Sequence, residues 1–363
     1  MTAAARPPRL AVLGVGLIGG SIGLAARERL GAHVRGYDPA PDAALAGLER
    51  GALDTACGSV GEALEGAEAA FVAAPVGALP AAVRGALEAA GSDCVVSDVG
   101  STKRALVAAV DDPRFVGGHP LAGAETAGVA NARADLFAGA TWYLTPTAAT
   151  QGTLYERLHR LIGGLGARPA ALDADTHDAV MASVSHLPHV LANVLVAQAA
   201  RVLSAEGERL PATGPSFRDA TRVAGAPTAM WRDVYLANAD ALVAAIDDTV
   251  ARLKDVRALL ASGDGVAVAW WNDAAREDRR RLLEADLAGG DVHELRVAVP
   301  NRPGVVAEIA LALGRAGVNI ADMALYPAAD RSSGTVALWV AGGPAADEAE
   351  SLVRGLGLGV ARA

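Results

Sequence analysis

Over residues 9–146, short apolar runs alternate with alanine-rich stretches of helical length. The runs at 10–13, 34–37, 70–73, 95–97, 115–117 and 141–144 predict strands, and their alternation with helices predicts a parallel sheet. From 151 to about 288 the strand signals stop and long helical patterns take over. Gly289, Gly290 and Asp291 then read as a linker. Beyond it, residues 293–299 alternate as a strand, 300–304 turn through Pro-Asn-Arg-Pro-Gly, and 305–316 form an amphipathic helix. A strand entered through Val318, Asn319 and Ile320, another at 335–340, a helix at 345–356 and a strand at 359–362 complete a βαββαβ unit.

The first predicted strand runs straight into Gly14-Val15-Gly16-Leu17-Ile18-Gly19, and the second ends on Asp38. Strand, glycine turn, helix, strand and acid in that order form a dinucleotide-binding signature. Gly14 permits the tight turn, Gly16 lets the backbone approach a pyrophosphate, and Gly19 lets helix and strand pack closely. The helix N-terminus then offers N–H groups and a positive dipole end to the phosphates. Asp38 suits both ribose hydroxyls and repels a 2′-phosphate, so NAD is the expected cofactor; Arg35 is the one nearby feature favouring NADP. The cofactor contacts expected are Gly14, Gly16, Leu17, Ile18, Gly19, Asp38, Pro75 and Ser101. The fold class expected is α/β: a Rossmann-type doubly wound parallel sheet over 1–148, an all-helical substrate and dimerisation domain over 149–288, and the βαββαβ domain over 292–363.

Composition narrows the partners. The 363 residues carry a net charge of −9 with acids and bases interspersed, which points away from nucleic acid. Cys57 and Cys94 have neither metal spacing nor a secreted disulfide pattern, and Cys94 sits in an apolar run that suits a buried thiol. Residues 1–8 lack the apolar stretch of a signal peptide, and the apolar run at 69–83 holds Pro75 and Pro80 and is too short to span a bilayer. A soluble, cytoplasmic protein that does not engage membranes is expected.

Several polar residues fall where chemistry is done. Ser101 and Lys103 follow a buried strand, at the sheet edge where ligands bind in open α/β folds. Ser101 could equally be a helix N-cap, and Lys103 either pairs with an anion or is a solvated first-turn residue. His119, after Gly117 and Gly118 and locked by Pro120, reaches the same edge; it reads as a general base or as a structural histidine bonded to a loop carbonyl. His177 lies between Asp175 and Asp178, acids that suit a helix N-terminus, and reads as a cap-region residue. Ser185 and His189 share a helix face near the kink expected at Pro188. His186 and His189 lack a third ligand at metal spacing, so no metal is expected. Arg218 and Arg222 flank Asp219; Arg222 reads as a carboxylate fork or as half of a surface ion pair with that acid.

Taken in order, GVGLIGGS, DVGSTK, GGHPLAGAE, SHLPH and FRDATRVAGAPTAMWRD resemble the prephenate/arogenate dehydrogenase family, from Gly14 to about Asp233. The tail around Asn301-Arg302-Pro303-Gly304 and Gly317-Val318-Asn319-Ile320 resembles an ACT domain, an amino-acid-sensing module. The resemblance implies oxidative decarboxylation of prephenate or arogenate in tyrosine synthesis, with NAD as hydride acceptor. It implies His119 as base and Ser101 as its orienting partner. Arg222 would bind carboxylate, and Ser185 and His189 would line the substrate pocket. Arg218, Asp219 and Glu125 would shape the entrance. Ala124 stands where several members carry a hydroxyl residue, which puts one substrate contact in doubt.

The apolar helical stretches at 190–203 and 241–260 imply a homodimer. Asn301, Gly304 and Asn319 are the candidate seat of an aromatic amino-acid effector. Two alternatives keep these motifs or part of them: a 4-amino-4-deoxyprephenate dehydrogenase of specialised metabolism, and a non-catalytic NAD-linked amino-acid sensor. A sensor has no need of His119, Ser101, His189 and Arg222 together. A β-hydroxyacid dehydrogenase would use a lysine from the helical region, but Lys254 lacks the glycine-rich surroundings expected there.

Overall fold

The computed structural model describes residues 6–123, 126–204, 213–285, 292–328 and 332–362. The chain forms two compact units: residues 1–178, 226–237 and 292–363 make the first, and 179–225 with 238–291 the second. The linker expected at 289–291 lies outside the described residues.

The first unit is built on an eight-stranded sheet of β1 (Arg9–Leu13), β2 (His33–Tyr37), β3 (Thr55–Ala56), β4 (Ala69–Val72), β5 (Val95–Asp98), β6 (Phe115–Pro120), β7 (Thr141–Thr145) and β8 (Arg168–Ala171), in the order β3-β2-β1-β4-β5-β6-β7-β8. Strands β1 to β6 pair in parallel. The chain then reverses: β6 and β7 are antiparallel, with His119 opposite Tyr143, while β7 and β8 run parallel to each other. The six predicted strands are present, but the purely parallel sheet is not. Strand order jumps outward from β1 to β4, which opens the crevice used for ligands at carboxyl ends of such sheets.

Two strands lie where none was expected. β3 is only two residues long. β8, Arg-Pro-Ala-Ala, falls inside the segment expected to be wholly helical, so the first sheet continues past residue 148 to Ala171. Its Pro169 is tolerated because β8 is the outermost strand, where a missing N–H costs no ladder bond on the open side.

The tail forms a second sheet within this unit, from β9 (Val292–Pro300), β10 (Ile320–Pro327), β11 (Ser333–Ala341) and β12 (Gly359–Arg362) in the order β10-β11-β9-β12, all pairs antiparallel. Helices Val305–Arg315 and Gly343–Gly355 complete the expected βαββαβ pattern. The tail is not a separate body. Its Val297, Val306, Ile309 and Leu313 join Leu154, Leu158 and Ile162 of helix Gly152–Gly164 in one continuous apolar core. Arg315 pairs with Asp173 at 3.0 Å across the same seam. Gly304, with φ +81°, sits where a Cβ would come within 2.5 Å of the Ala148 carbonyl oxygen. Its left-handed turn and the close approach both require glycine.

The second unit is helical: Leu187–Ser204, Pro215–Thr221, Ala239–Ser262 and Gly265–Ala285 are its main elements. Just before Pro188, residues Ala182–His186 form a π turn, which absorbs the disruption expected there. Val194, Val202, Leu253, Leu260, Val266 and Trp270 are exposed on these helices. One stretch among the described residues, Ala174–Val202, is long and apolar enough by length and composition to cross a bilayer, and only 28% of that window is buried.

Candidate active site

In the first unit the glycine turn, Asp38, Pro75, Ser101 and His119 all stand at or just beyond the carboxyl ends of β1, β2, β4, β5 and β6. Gly14 has φ +103°, and a Cβ there would lie 2.3 Å from the Ala73 carbonyl oxygen; a Cβ at Gly19 would lie 1.9 Å from that of Gly14. Both glycines are demanded by backbone crowding. Gly16 differs: nothing lies within 4 Å of where its Cβ would be, which leaves the open approach a pyrophosphate needs. Helix Leu17–Leu30 begins at Gly16 with no side-chain cap on its first N–H groups, the condition under which a helix N-terminus receives an anion.

Asp38 braces this turn. Its Oδ2 accepts from the Val15 N–H at 2.8 Å and its Oδ1 from the Ala40 N–H at 2.8 Å. Each carboxylate oxygen keeps a second lone pair for a ribose hydroxyl. Arg35, the feature that favoured a 2′-phosphate, is engaged elsewhere, 3.7 Å from Glu62 and 3.3 Å from Glu65. The residues present therefore fit NAD. Pro75 opens the 3-10 turn Val76–Ala78, and Gly77 of that turn packs on Asp233 of helix Thr228–Ala237, so the end of the FRDATRVAGAPTAMWRD motif rests beside this edge.

Ser101 is not a helix cap: the following helix is Arg104–Ala109. Its first N–H groups are held instead by Asp178, which accepts from Lys103 at 2.8 Å and from Arg104 at 2.9 Å. Lys103 is neither solvated nor a ligand for a free anion. It is fully buried and bonded to Asp98, whose carboxylate also accepts from the Gly100 and Gly118 N–H groups at 2.8 and 3.0 Å. Burial pulls the Lys103 ammonium below its ordinary value, against the attraction of Asp98. Asp98, held by Lys103, thus ties the loop carrying Ser101 to β6, the strand that carries His119.

His177 overturns its cap-region reading. The cap of helix Ala174–Met181 is Asp173, which accepts from the Thr176 N–H at 2.9 Å and its hydroxyl at 2.8 Å. His177 and Asp178 point inward and are completely buried. His177 Nε2 lies 2.9 Å from His119 Nδ1, and His177 Nδ1 lies 2.8 Å from Asp178 Oδ1. Burial holds His177 below the usual imidazole range, with the bond to Asp178 opposing. Burial also works to raise Asp178, but the bonds from His177 and the two backbone N–H groups outweigh it and keep the carboxyl below its usual range.

In the second unit, His189 is buried in helix Leu187–Ser204, with Nδ1 3.3 Å from the Asn193 amide. Burial lowers its pKa, and the Val223 backbone opposes that shift. His189 thus meets the 3-10 turn Arg222–Gly225, which joins the SHLPH motif to the arginine motif. Ser185, Arg218, Asp219 and Arg222 are exposed, and Arg218 donates to the Thr213 carbonyl at 3.0 Å. His186 turns to Asn238 at 3.2 Å rather than toward the Asn193 partner of His189. Among the described residues no group of three or more His, Cys, Asp or Glu is placed to hold a metal. Ala124 and Glu125 lie outside the described residues.

Residues 22–170 match the nucleotide-binding domain family of prephenate dehydrogenase, 173–270 its dimerization domain family, and 293–350 the ACT domain family. Over 323 residues the chain is 32% identical to the prephenate dehydrogenase of Bacillus subtilis, covering 85% of this chain and 86% of that protein. The chain belongs to the prephenate dehydrogenase family. As a member it is an NAD-dependent oxidoreductase with a C-terminal ACT domain. The cyclohexadienyl dehydrogenase of Zymomonas mobilis is 32% identical over 298 residues, 79% of this chain and 98% of that one. The crystal structure of prephenate dehydrogenase from A. aeolicus with hydroxyphenyl propionate and NAD+ superposes with a TM-score of 0.72 at 26% identity, covering 77% of this chain and 99% of that one. The β8 boundary agrees with the family's own division, whose nucleotide-binding part ends at 170.

Proposed function

We propose that this chain oxidises prephenate or arogenate, with loss of carbon dioxide, in tyrosine biosynthesis. The observation that carries the reading is His119 at the same sheet edge as the Gly14–Gly16 turn and Asp38, backed by a buried histidine and carboxylate. Gly14, Gly16, Leu17, Ile18, Gly19, Asp38, Pro75 and Ser101 would hold NAD, which would supply the two-electron acceptor for the hydrogen on the ring hydroxyl carbon. His119 removes the hydroxyl proton as that hydrogen leaves, and Ser101 orients the hydroxyl. The new ring carbonyl receives the electron pair of the breaking carbon–carboxylate bond. Aromatisation follows, and His119 returns its proton to the phenolate oxygen.

Family resemblance supports Arg222 as the fork for a substrate carboxylate, Ser185 and His189 as pocket residues, and Arg218, Asp219 and Glu125 as entrance residues. It also supports a cytoplasmic homodimer formed through the helices of the 173–270 segment, whose apolar residues would then be covered. An aromatic amino acid is the proposed effector, seated by Asn301, Gly304 and Asn319. Asn301 lines a cavity of about 720 Å³ between the tail and the first sheet domain; Gly304 and Asn319 do not.

The test is NADH formation with prephenate and with arogenate, repeated with NADP. A strong NAD-dependent rate with either substrate is expected, and absence of turnover with both would overturn the reading. His119→Asn should lower kcat about 10²–10⁴-fold with little change in KM. Arg222→Ala should chiefly raise KM.

A further inference from the structure

The buried bonds behind His119 determine which of its nitrogens does the work. Asp178 is held ionised by donors that include the Lys103 and Arg104 N–H groups and His177. An ionised carboxylate only accepts, so His177 Nδ1 carries a proton. His177 is buried with no exposed surface and sits near buried Lys103, both of which disfavour its charged form. Neutral His177 with a proton on Nδ1 has a lone pair on Nε2. The 2.9 Å contact to His119 Nδ1 is then a bond that His119 donates. His119 in turn is left with Nε2 as the nitrogen able to accept a proton.

We infer that His177, fixed by Asp178, is a positioning residue that holds His119 in the tautomer whose Nε2 receives the substrate hydroxyl proton. The inference rests on His119 being the base. When that proton arrives, His119 becomes an imidazolium whose Nδ1–H still points at His177 Nε2. The positive charge is thus met by an acceptor already in place, at no cost in reorganisation. The groups facing His177 are His119 from β6, Tyr143 from β7 edge-on at a ring separation of 5.8 Å, Asp98 and Lys103 from the end of β5 and the loop after it, and Asp178 of its own helix. Tyr143 and His119 also hold the ring in plane from two sides, the His119 ring centroid being 5.1 Å away. These are the contacts by which a second histidine acts through the first without touching substrate.

The test is the pH profile of kcat/KM in His177→Phe and His177→Met, which keep bulk but offer no acceptor, with folding checked by NAD binding. Either variant should lower kcat about 10- to 100-fold, by analogy with loss of the outer partner that orients a metal-bound histidine, with substrate KM moving less than about twofold. The acidic limb should move to lower pH, because the imidazolium loses the acceptor for its Nδ1–H. His177→Gln, which can accept from His119 and donate to Asp178, should return the limb toward its wild-type position. In a His119→Asn background the same substitutions should change the residual rate by less than about twofold. An unmoved limb with wild-type kcat in whichever apolar variant folds would overturn the positioning role. So would an equal loss with and without His119. Wild-type turnover in His119→Asn alone would instead remove the base reading, and the inference with it.

Discussion

Gly314, inside helix Val305–Arg315, lies so close to Ala171 that a Cβ would come within 1.7 Å of the Ala171 carbonyl oxygen. Ala171 ends β8, and Gly314 belongs to the ACT domain, so backbone meets backbone across the seam between them. Helix propensity alone would make Gly314→Ala stabilising by about 1 kcal/mol. The contact reverses that sign: we expect a loss of about 1–3 kcal/mol, typical of overpacking, read by urea unfolding. Gly163→Ala, near the end of helix Gly152–Gly164 with nothing within 4 Å of its Cβ, is the control and should be neutral or stabilising.

Asp38 accepts from the Val15 and Ala40 N–H groups, one on each oxygen, and is the acid proposed to hold the ribose. Asp38→Ser should raise KM for NAD at least tenfold, about 1.4 kcal/mol, and should narrow the gap to NADP. Unchanged KM for NAD would place the ribose elsewhere. Because Arg35 is engaged with Glu62 and Glu65, Asp38→Ser alone should not produce an enzyme that prefers NADP.

Acid should loosen the seam between ACT domain and first sheet. His159 is buried on helix Gly152–Gly164, which packs on β10, and burial pushes its pKa down to about 4 against the attraction of Asp322. An unfolded histidine titrates near 6.5, so between about pH 6.5 and 4 the unfolded chain binds more protons than the folded one. Stability contributed by neutral His159 is complete above that window and is lost as pH falls through it. Between pH 7 and 4.5 the loss should be on the order of 2–3 kcal/mol. Urea midpoints of wild type and His159→Leu check it: the variant should lack that part of the slope.

The exposed apolar side chains of the second unit call for a covering surface. Val266 and Trp270 are 80% and 79% exposed, more than the other large apolar side chains described on these helices. A homodimer by sedimentation is the expected state, and Val266→Glu with Trp270→Glu should shift it to monomer while leaving NAD binding intact. A monomeric wild type would overturn the dimer.

Much of this architecture can be read from the chain because local physics and global fold agree there. The strands at 10–13, 34–37 and 70–73 are apolar runs too short for helices, and each is present. The tail's pattern matched its helices and strands to within a few residues. β8 was hidden because Arg-Pro-Ala-Ala has no β-branched residue and a proline that argues against a strand; only its place at the sheet's margin makes it acceptable. The reversal at β6 and β7 was hidden because alternation of strands and helices carries no sign of direction. The placement of His119 at the sheet's carboxyl edge was legible from its glycine and proline neighbours. Its partner was not, because His177 is 58 residues away and its flanking acids imitate a helix start. The true cap, Asp173, stands just ahead of that helix, a signal the flanking acids masked.

The apolar core shared by the ACT domain and the first sheet has a thermodynamic corollary. Helix Gly152–Gly164 has Leu154, Leu158 and Ile162 within a core that the tail's Val306, Ile309 and Leu313 complete. Deleting the tail would therefore leave a greasy scar on the dehydrogenase rather than a free-standing enzyme stripped of its sensor. Tail and sheet should melt in one transition. A small molecule gripping the tail would make its presence felt first as resistance to unfolding, spread through the body that carries His119.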